Sequence, residues 1–373
     1  MNRSSISLGR ILGIPIGLDY SWFLIFGLLT WSLATSYYPA EFTNWSVAQY
    51  WIVGAVTAIL MFGSVLLHEL GHSVIAIHYK IPVRSITLFI FGGVAQIGAE
   101  PPSAISEFWI AIAGPVTSFA LAIIFGLLQN VVGAFAPLLA LAQYLAYINA
   151  TLGLFNLIPG FPLDGGRVFR AIIWGATHNF HRATLIAANV GRIIAYLFII
   201  VGVWQLFLGN FGNGLWIAFI GWFLETAASS QIHQQTMQDL LKGHYVRDTM
   251  RRNYTAIMSE TTLEQLVNQH ILGSGQRSLV VEQGDRMVGL LTFHNVRAVP
   301  TSDWATTPAA QVMIPMEKVK WIRPDAELTE ALGEMDRDGV NQLPVMRGDQ
   351  ILGILGRDDV ISLLRTLGEF KRH

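Results

Sequence analysis

"WIVGAVTAILMFGSVLLHELGH" (residues 51–72) is the stretch on which the fold turns. From Trp51 to Leu67 no residue is charged, and a run of about 20 apolar residues is what an α-helix needs to cross about 30 Å of hydrocarbon. The same helix then carries His68, Glu69 and His72. An ionisable side chain at membrane depth costs roughly 2.5–3.5 kcal/mol on insertion scales unless it is paired or liganded, so the cluster marks a functional site and calls for a partner.

The rest of the chain has the composition this stretch implies. Of 373 residues, 52% are hydrophobic and 13% charged, and the mean hydropathy is +0.46, whereas soluble domains carry about 25% charge. Apolar stretches near 18–38, 51–79, 106–130, 134–158, 184–208 and 212–232 predict six transmembrane helices. No short basic–apolar–small pattern precedes the first, which is therefore expected to be retained. Arg3, Arg10, Lys80, Arg84, Arg167, Arg170 and Arg182 fall in alternate connections, while 39–50, 131–133 and 209–211 contain no Lys or Arg. The positive-inside rule then puts the N-terminus and the tail in the cytoplasm and His68–His72 in the cytoplasmic half of its span. A net charge of −1 and the lack of a basic, aromatic-interleaved face exclude nucleic acid as a partner.

Charge density changes abruptly near Lys242. Residues 1–240 hold 8 Lys/Arg and 8 Asp/Glu, and residues 241–373 hold 16 and 17. This predicts a membrane domain at 1–240 and a cytoplasmic α/β domain at 241–373. Within the latter, "VRDTM" (246–250) with "SLVVEQGDRMVGLLTFHNV" (278–296) is echoed by "AAQVM" (309–313) with "QLPVMRGDQILGILGRDDV" (342–360). Two tandem modules, 246–300 and 309–365, are expected, their strands separated by Gly-Asp turns.

Histidines at i and i+4 share one helical face, about 5–6 Å apart at Cβ, so both imidazoles can reach one cation. H-E-x-x-H on a helix is the zinc-hydrolase pattern, two ligands and a glutamate as general base. The alternative is a pair of structural histidines inside a bundle. With no cysteine in the chain, a third ligand must be His, Asp or Glu. Asp164 is the conspicuous candidate: "FNLIPGFPLDGGR" (155–167) breaks the helix after the fourth span and lets a carboxylate turn back toward the bundle interior. As an alternative, it is a turn residue before Gly165-Gly166. "VRSITLFIFGGVAQIG" (83–98) reads as a β-hairpin or re-entrant strand pair divided by Gly92-Gly93, and such backbone at membrane depth must be buried in protein or border a cavity.

"HELGH" (68–72) in an apolar helix and "NLIPGFPLDGGR" (156–167) resemble, in that order, the two motifs of the site-2 protease family of intramembrane zinc metalloproteases; "AGP" (113–115) and the Gly92-Gly93 hairpin are similar to segments between them. The resemblance implies that Asp164 completes a zinc site with His68 and His72, that Glu69 is the general base, and that Asn156 donates to the developing oxyanion, although an inter-helix or capping amide explains Asn156 nearly as well. It also implies a membrane-protein substrate, such as a membrane-tethered regulator, an anti-sigma factor or a signal-peptide remnant. An unwound substrate segment would add as a strand beside Gly92 and Gly93. The tail repeats resemble CBS modules, whose Gly-x-x-[Thr/Ser]-x-x-Asp element addresses adenine nucleotides. The first copy, "GLLTFHN" (289–295), keeps Thr292 but has Asn295 for Asp, and the second, "GILGRDD" (353–359), keeps Asp359 but has Gly356 for the hydroxyl. Each copy is incomplete; a weak nucleotide site and a homodimer through the pair are what the resemblance leaves open. The competing class is a non-proteolytic membrane sensor or transporter whose polar cluster is an ion site gated by the tail. It has no use for the H-E-x-x-H order combined with a third ligand on another, broken helix.

Overall fold

A computed structural model describes residues 5–90, 92–271, 278–284, 286–348 and 350–370. Arg3 and the turn residues Asp285 and Asp349 lie outside the described residues. The chain divides into two compact units, Met1–Gln235 and Thr236–His373.

The first unit opens with a hairpin that the sequence reading does not anticipate. Strands β1 (Ser5–Ile11) and β2 (Ile14–Asp19) are joined by Leu12-Gly13, both at positive φ (52° and 80°). Two left-handed central residues make the turn whose twist suits a two-residue hairpin. β2 continues in parallel with β3 (Val83–Phe89), which pairs antiparallel with β4 (Gly92–Ile97), giving a sheet in the order β1-β2-β3-β4. Its inner face, Ile14, Ile16 and Ile86, packs on Leu66 and Leu70. The 83–98 stretch therefore forms the expected hairpin as part of a larger sheet.

The first expected span is not one continuous α-helix. It comprises α1 (Ser21–Ser32), a π-turn at Leu33–Tyr37 and α2 (Tyr38–Glu41), with Asp19 accepting hydrogen bonds from the backbone N–H and hydroxyl of Ser21 at its start. α3 (Val47–His78) is 32 residues, about 48 Å at 1.5 Å per residue. It starts from a capping box in which Gln49 N–H donates to Ser46 Oγ and Ser46 N–H to Gln49 Oε1. α4 (Ala104–Val132) starts from a second capping box, Ser103 with Ser106. α5 (Ala136–Asn156), a short α6 (Asp164–Thr177), α7 (Phe180–Phe207) and α8 (Phe211–Leu241) follow. Among the described residues four helices, α3, α4, α5 and α7, are long and apolar enough to cross a membrane. Glycines let them approach closely: a Cβ at Gly71 would lie 3.0 Å from the Ala113 carbonyl, and one at Gly153 3.1 Å from the Phe119 ring.

A buried ion pair ties α4, α6 and α7 together. Glu107 is completely buried and accepts hydrogen bonds from Arg170, which also donates to Thr184 and lies 4.9 and 4.6 Å from the ring centroids of Phe161 and Phe180.

In the second unit, β5 (Ala256–Met258), β6 (Ser278–Gln283), β7 (Arg286–Thr292) and β8 (Ile314–Pro315) form one sheet, β9 (Gln342–Arg347) and β10 (Gln350–Gly356) another. Their apolar runs are unbroken because both faces are covered. Leu279, Val281 and Leu291 enter one core, Leu343, Val345 and Leu355 a second, and the intervening Val280, Leu290 and Ile354 a third that the two sheets share. The sequence repeat and the spatial repeat differ. Val246 of the first "VRDTM" packs in the core of the second module, its N–H donating to the Ala326 carbonyl, whereas Ala309 packs in the core of the first, donating to Thr261.

Arg170→Met leaves Glu107 buried without its counter-charge. Removing one partner of a buried pair costs about 3–5 kcal/mol, so the variant is expected to melt at clearly lower temperature than wild type in the same detergent.

Candidate metal centre

His68 and His72 lie four residues apart on α3, and the chain break after α5 brings Asp164 to them. Residues 157–163 satisfy their backbone locally, Ile158 N–H on Phe155 O, Gly160 N–H on Ile158 O and Leu163 N–H on Gly160 O. Asp164 is then the first residue of α6 rather than a turn residue, so its carboxylate sits in the positive first turn of a helix. Gly165 and Gly166 are required by this fold-back: a Cβ at either would overlap the main chain of 157–161.

The three side chains converge on one point. Nε2 of His68 and Nε2 of His72 each lie 3.1 Å from Asp164 Oδ2, and 3.3 Å from one another. A tetrahedral zinc with ligand bonds of 2.0–2.1 Å has ligand-to-ligand edges of about 3.3–3.4 Å, close to this triangle. The hydrogen-bond chemistry agrees. Nδ1 of His72 lies 2.7 Å from the Ile110 carbonyl, which only accepts, so Nδ1 carries the hydrogen and the neutral ring leaves Nε2 as a bare lone pair. Nδ1 of His68 lies 2.8 Å from Ser118 Oγ, a hydroxyl that can accept from a protonated Nδ1 and so allows the same tautomer. Lone pairs of two imidazoles and a carboxylate facing one another at these distances form a seat that a cation between them would satisfy. Among the described residues, His68, His72 and Asp164 form the group of acid and imidazole side chains spaced to hold one. Backbone supports it too: Gly114 of α4 faces the pair, and a Cβ there would lie 2.6 Å from His68 Nε2 and overlap His72 Nε2.

Glu69 points to the other side, toward β4. Ala95 N–H donates to its Oε2 at 3.2 Å, and a Cβ at Gly93 would lie 2.6 Å from its Cγ. Gly93 is thus small because the glutamate packs on it, a contact that the residue pattern alone does not reveal. Both residues, together with Gly92, Asn156, Asp164 and the histidines, line a cavity of about 640 Å³. Asn156 ends α5 at the cavity wall. Asn149, about two turns earlier in α5, ties α5 to α3 through its hydrogen bond to Ser64 Oγ (3.2 Å). Sequence reasoning missed Ser118, the Ile110 carbonyl and Arg167, the last of which also lines the cavity. The only advance signal was the "AGP" segment, which places α4 near the site.

In the second unit, Thr292 caps the helix 293–297 through a capping box with Asn295 and lines a cavity of about 670 Å³ with Lys318, Lys320 and Arg357. Asp359 does not line it. Its carboxylate is bound by Arg251 Nε at 2.6 Å and by the Gly356 N–H at 2.9 Å.

The profile of Peptidase family M50 matches residues 56–136 and 132–199, and that of the CBS domain matches 246–300 and 309–366. Rip3 of Mycobacterium tuberculosis (strain H37Rv), named a zinc metalloprotease, is 35% identical over 97% of this chain and 93% of its own. Sll0528 of Synechocystis sp. (strain PCC 6803), named likewise, is 34% identical over 98% and 96%. Among solved structures, the Site-2 Protease from Methanocaldococcus jannaschii is 31% identical, with a TM-score of 0.42, over 61% of this chain and 94% of that one.

Gly114→Ala puts a methyl group where the histidine nitrogens converge. The purified variant is expected to retain its helical circular dichroism and lose bound zinc, measured by metal analysis beside wild type.

Proposed function

The chain belongs to Peptidase family M50, and from that premise we propose how its own residues divide the work of an intramembrane zinc metalloendopeptidase. As a member of that family it is an integral membrane enzyme of the site-2 protease type, acting on membrane proteins in a lipid bilayer, with a CBS tail. His68, His72 and Asp164 hold the zinc; the observation that carries this reading is the convergence of their three acceptor atoms within 4.8 Å of one another.

Bound zinc lowers the pKa of a coordinated water and polarises the scissile carbonyl. Glu69, beside the histidines at the cavity wall, takes the water's proton and passes it to the leaving amine. Asn156 donates to the oxygen of the attacked carbonyl as negative charge develops there. A transmembrane helix shields its peptide bonds by its own hydrogen bonds, so the substrate must unwind before it is cut. β4 borders the cavity and is an outer strand of its sheet, which supports addition of the unwound segment along Gly92 and Gly93.

Six spans, with the N-terminus and the tail cytoplasmic, complete the proposal. The 21–41 helical stretch and the 31-residue α8 supply the two crossings beyond the four strongly apolar helices. The division into a membrane domain of 1–240 and a tail of 241–373 belongs to the same reading, as does a homodimer through the tail, which rests on the resemblance to CBS pairs. For an adenine nucleotide the Thr292 cleft is the better seat: Lys318 offers a cation to a phosphate there, beside Lys320 and Arg357, which pair with Asp338 (3.7 Å) and Asp336 (2.6 Å). Asp359 is committed to Arg251.

Purified wild type is expected to hold about one zinc per chain, with His68→Ala and Asp164→Ala losing it. Glu69→Gln should keep the metal and lose about 10²–10⁴-fold in turnover, the usual worth of a general base; retained turnover would remove Glu69 from the mechanism. Because the chain has no cysteine, single cysteines report topology cleanly. One replacing Asn179 should label from the cytoplasmic side, and one replacing Asn44 from the opposite side. For the tail, Thr292→Val should weaken ADP binding about tenfold, the worth of one hydrogen bond to a charged group, and Asp359→Asn should leave it nearly unchanged.

A further inference from the structure

α6 carries two arginines, three residues apart, in opposite circumstances. Arg170 has every partner a buried guanidinium needs: Glu107, Thr184 and two aromatic faces. Arg167, partly buried on the cavity wall, makes no hydrogen bond and no ion pair within 4.0 Å among the described residues. Neither Asp164 nor Glu107 nor Glu69 pairs with it within 4.0 Å. Asp164 faces the histidines, Glu107 holds Arg170, and Glu69 accepts from Ala95. A guanidinium on a largely apolar cavity wall, with no protein partner among the described residues, is open to pair with an anion that enters the cavity.

The reaction supplies one. Water's oxygen bonds to the carbonyl carbon, the C–N bond breaks, and both of water's protons end on the amine. Negative charge appears on the carbonyl oxygen during the attack and remains on the carboxylate product. Arg167 is also one turn from Asp164, on the same side of the helix, about 5–6 Å apart at Cβ. We infer that Arg167 is the cationic anion-binding group of this cavity, acting beside Asn156: it receives the scissile carbonyl oxygen as it becomes charged and then holds the new carboxylate end of the cleaved chain. The inference rests on the zinc peptidase reading above and adds a residue to it.

The test uses two probes, N-acetyl-leucyl-leucine and its carboxamide, titrated calorimetrically into the zinc-loaded full chain in detergent. Wild type should bind the carboxylate about tenfold or more tightly than the amide, the worth of a charge-assisted hydrogen bond. Arg167→Gln should abolish that preference with zinc content unchanged. On a cleaved substrate it should lower kcat about 10²–10³-fold with little change in KM, as removal of an oxyanion donor does. Arg167→Lys should restore part of the preference, since it returns the charge without the planar fork; it also serves should the glutamine variant fail to fold. A preference unchanged in Arg167→Gln, or absent from wild type, would overturn the inference. Loss of zinc from Arg167→Gln would do the same, making Arg167 a support of Asp164. Wild type without zinc would overturn the peptidase reading as well, and metal analysis tells that failure apart from the others.

Discussion

Hydrocarbon offers no hydrogen bonds, so an imidazole pair and a carboxylate inside an apolar bundle must be satisfied by the protein or by what it holds. The architecture around His68 and His72 follows from that constraint. α4 supplies the hydrogen-bond partners for both Nδ1 positions, and to do so it must come close enough for Ser118 and the Ile110 carbonyl to reach the rings. Closeness is obtained with small residues: Gly71 lies against Ala113 and Thr117, and Gly114 against the histidine nitrogens. The glycine of "HELGH" and that of "AGP" thus serve a single helix contact, one from each side.

The third side chain of the cluster poses a different problem, since a continuous fifth helix could not return a carboxylate to the third. Breaking the chain over 157–163 solves it at a cost in unsatisfied backbone, which short local hydrogen bonds and the contact of Phe161 N–H with the Ala187 carbonyl (3.4 Å) offset. α6 then presents Asp164, Arg167 and Arg170 at successive turns, toward the metal centre, the cavity and the Glu107 clamp. Replacing a buried ion pair with apolar groups is often neutral for stability, so the clamp is better understood as fixing where α6 stands than as strengthening the fold. A shift of α6 would move Asp164 relative to rings that α3 and α4 hold fixed.

What could be seen in advance was whatever depends on local periodicity. The i, i+4 histidines, the apolar helices and the Gly92-Gly93 hairpin declare themselves within a few residues. Asp164 was legible because prolines and glycines interrupt an apolar run, although its position as first residue of a helix rather than a turn was not. Ser118, the Ile110 carbonyl and the packing of Gly93 on Glu69 were invisible, because they depend on which face of α4 or β4 meets α3. The β1–β2 hairpin was missed for another reason. Ile14, Ile16 and Leu18 are buried in strand alternation, but the segment is short and adjoins a long apolar run, so it reads as the approach to the first span.

The tail shows that repeated sequence and repeated space need not coincide. "VRDTM" and "AAQVM" lead their repeats in the chain, yet each contributes its buried residue to the other repeat's core. Neither hairpin-and-helix copy is therefore complete by itself: the second lacks Val246 and the first lacks Ala309 unless the two fold together. The shared core of Val280, Leu290 and Ile354 joins them further. A perturbation that loosens one module withdraws a buried residue from the other, so the pair is built to respond as a unit, and a ligand in the Thr292 cleft would contact residues of both copies at once.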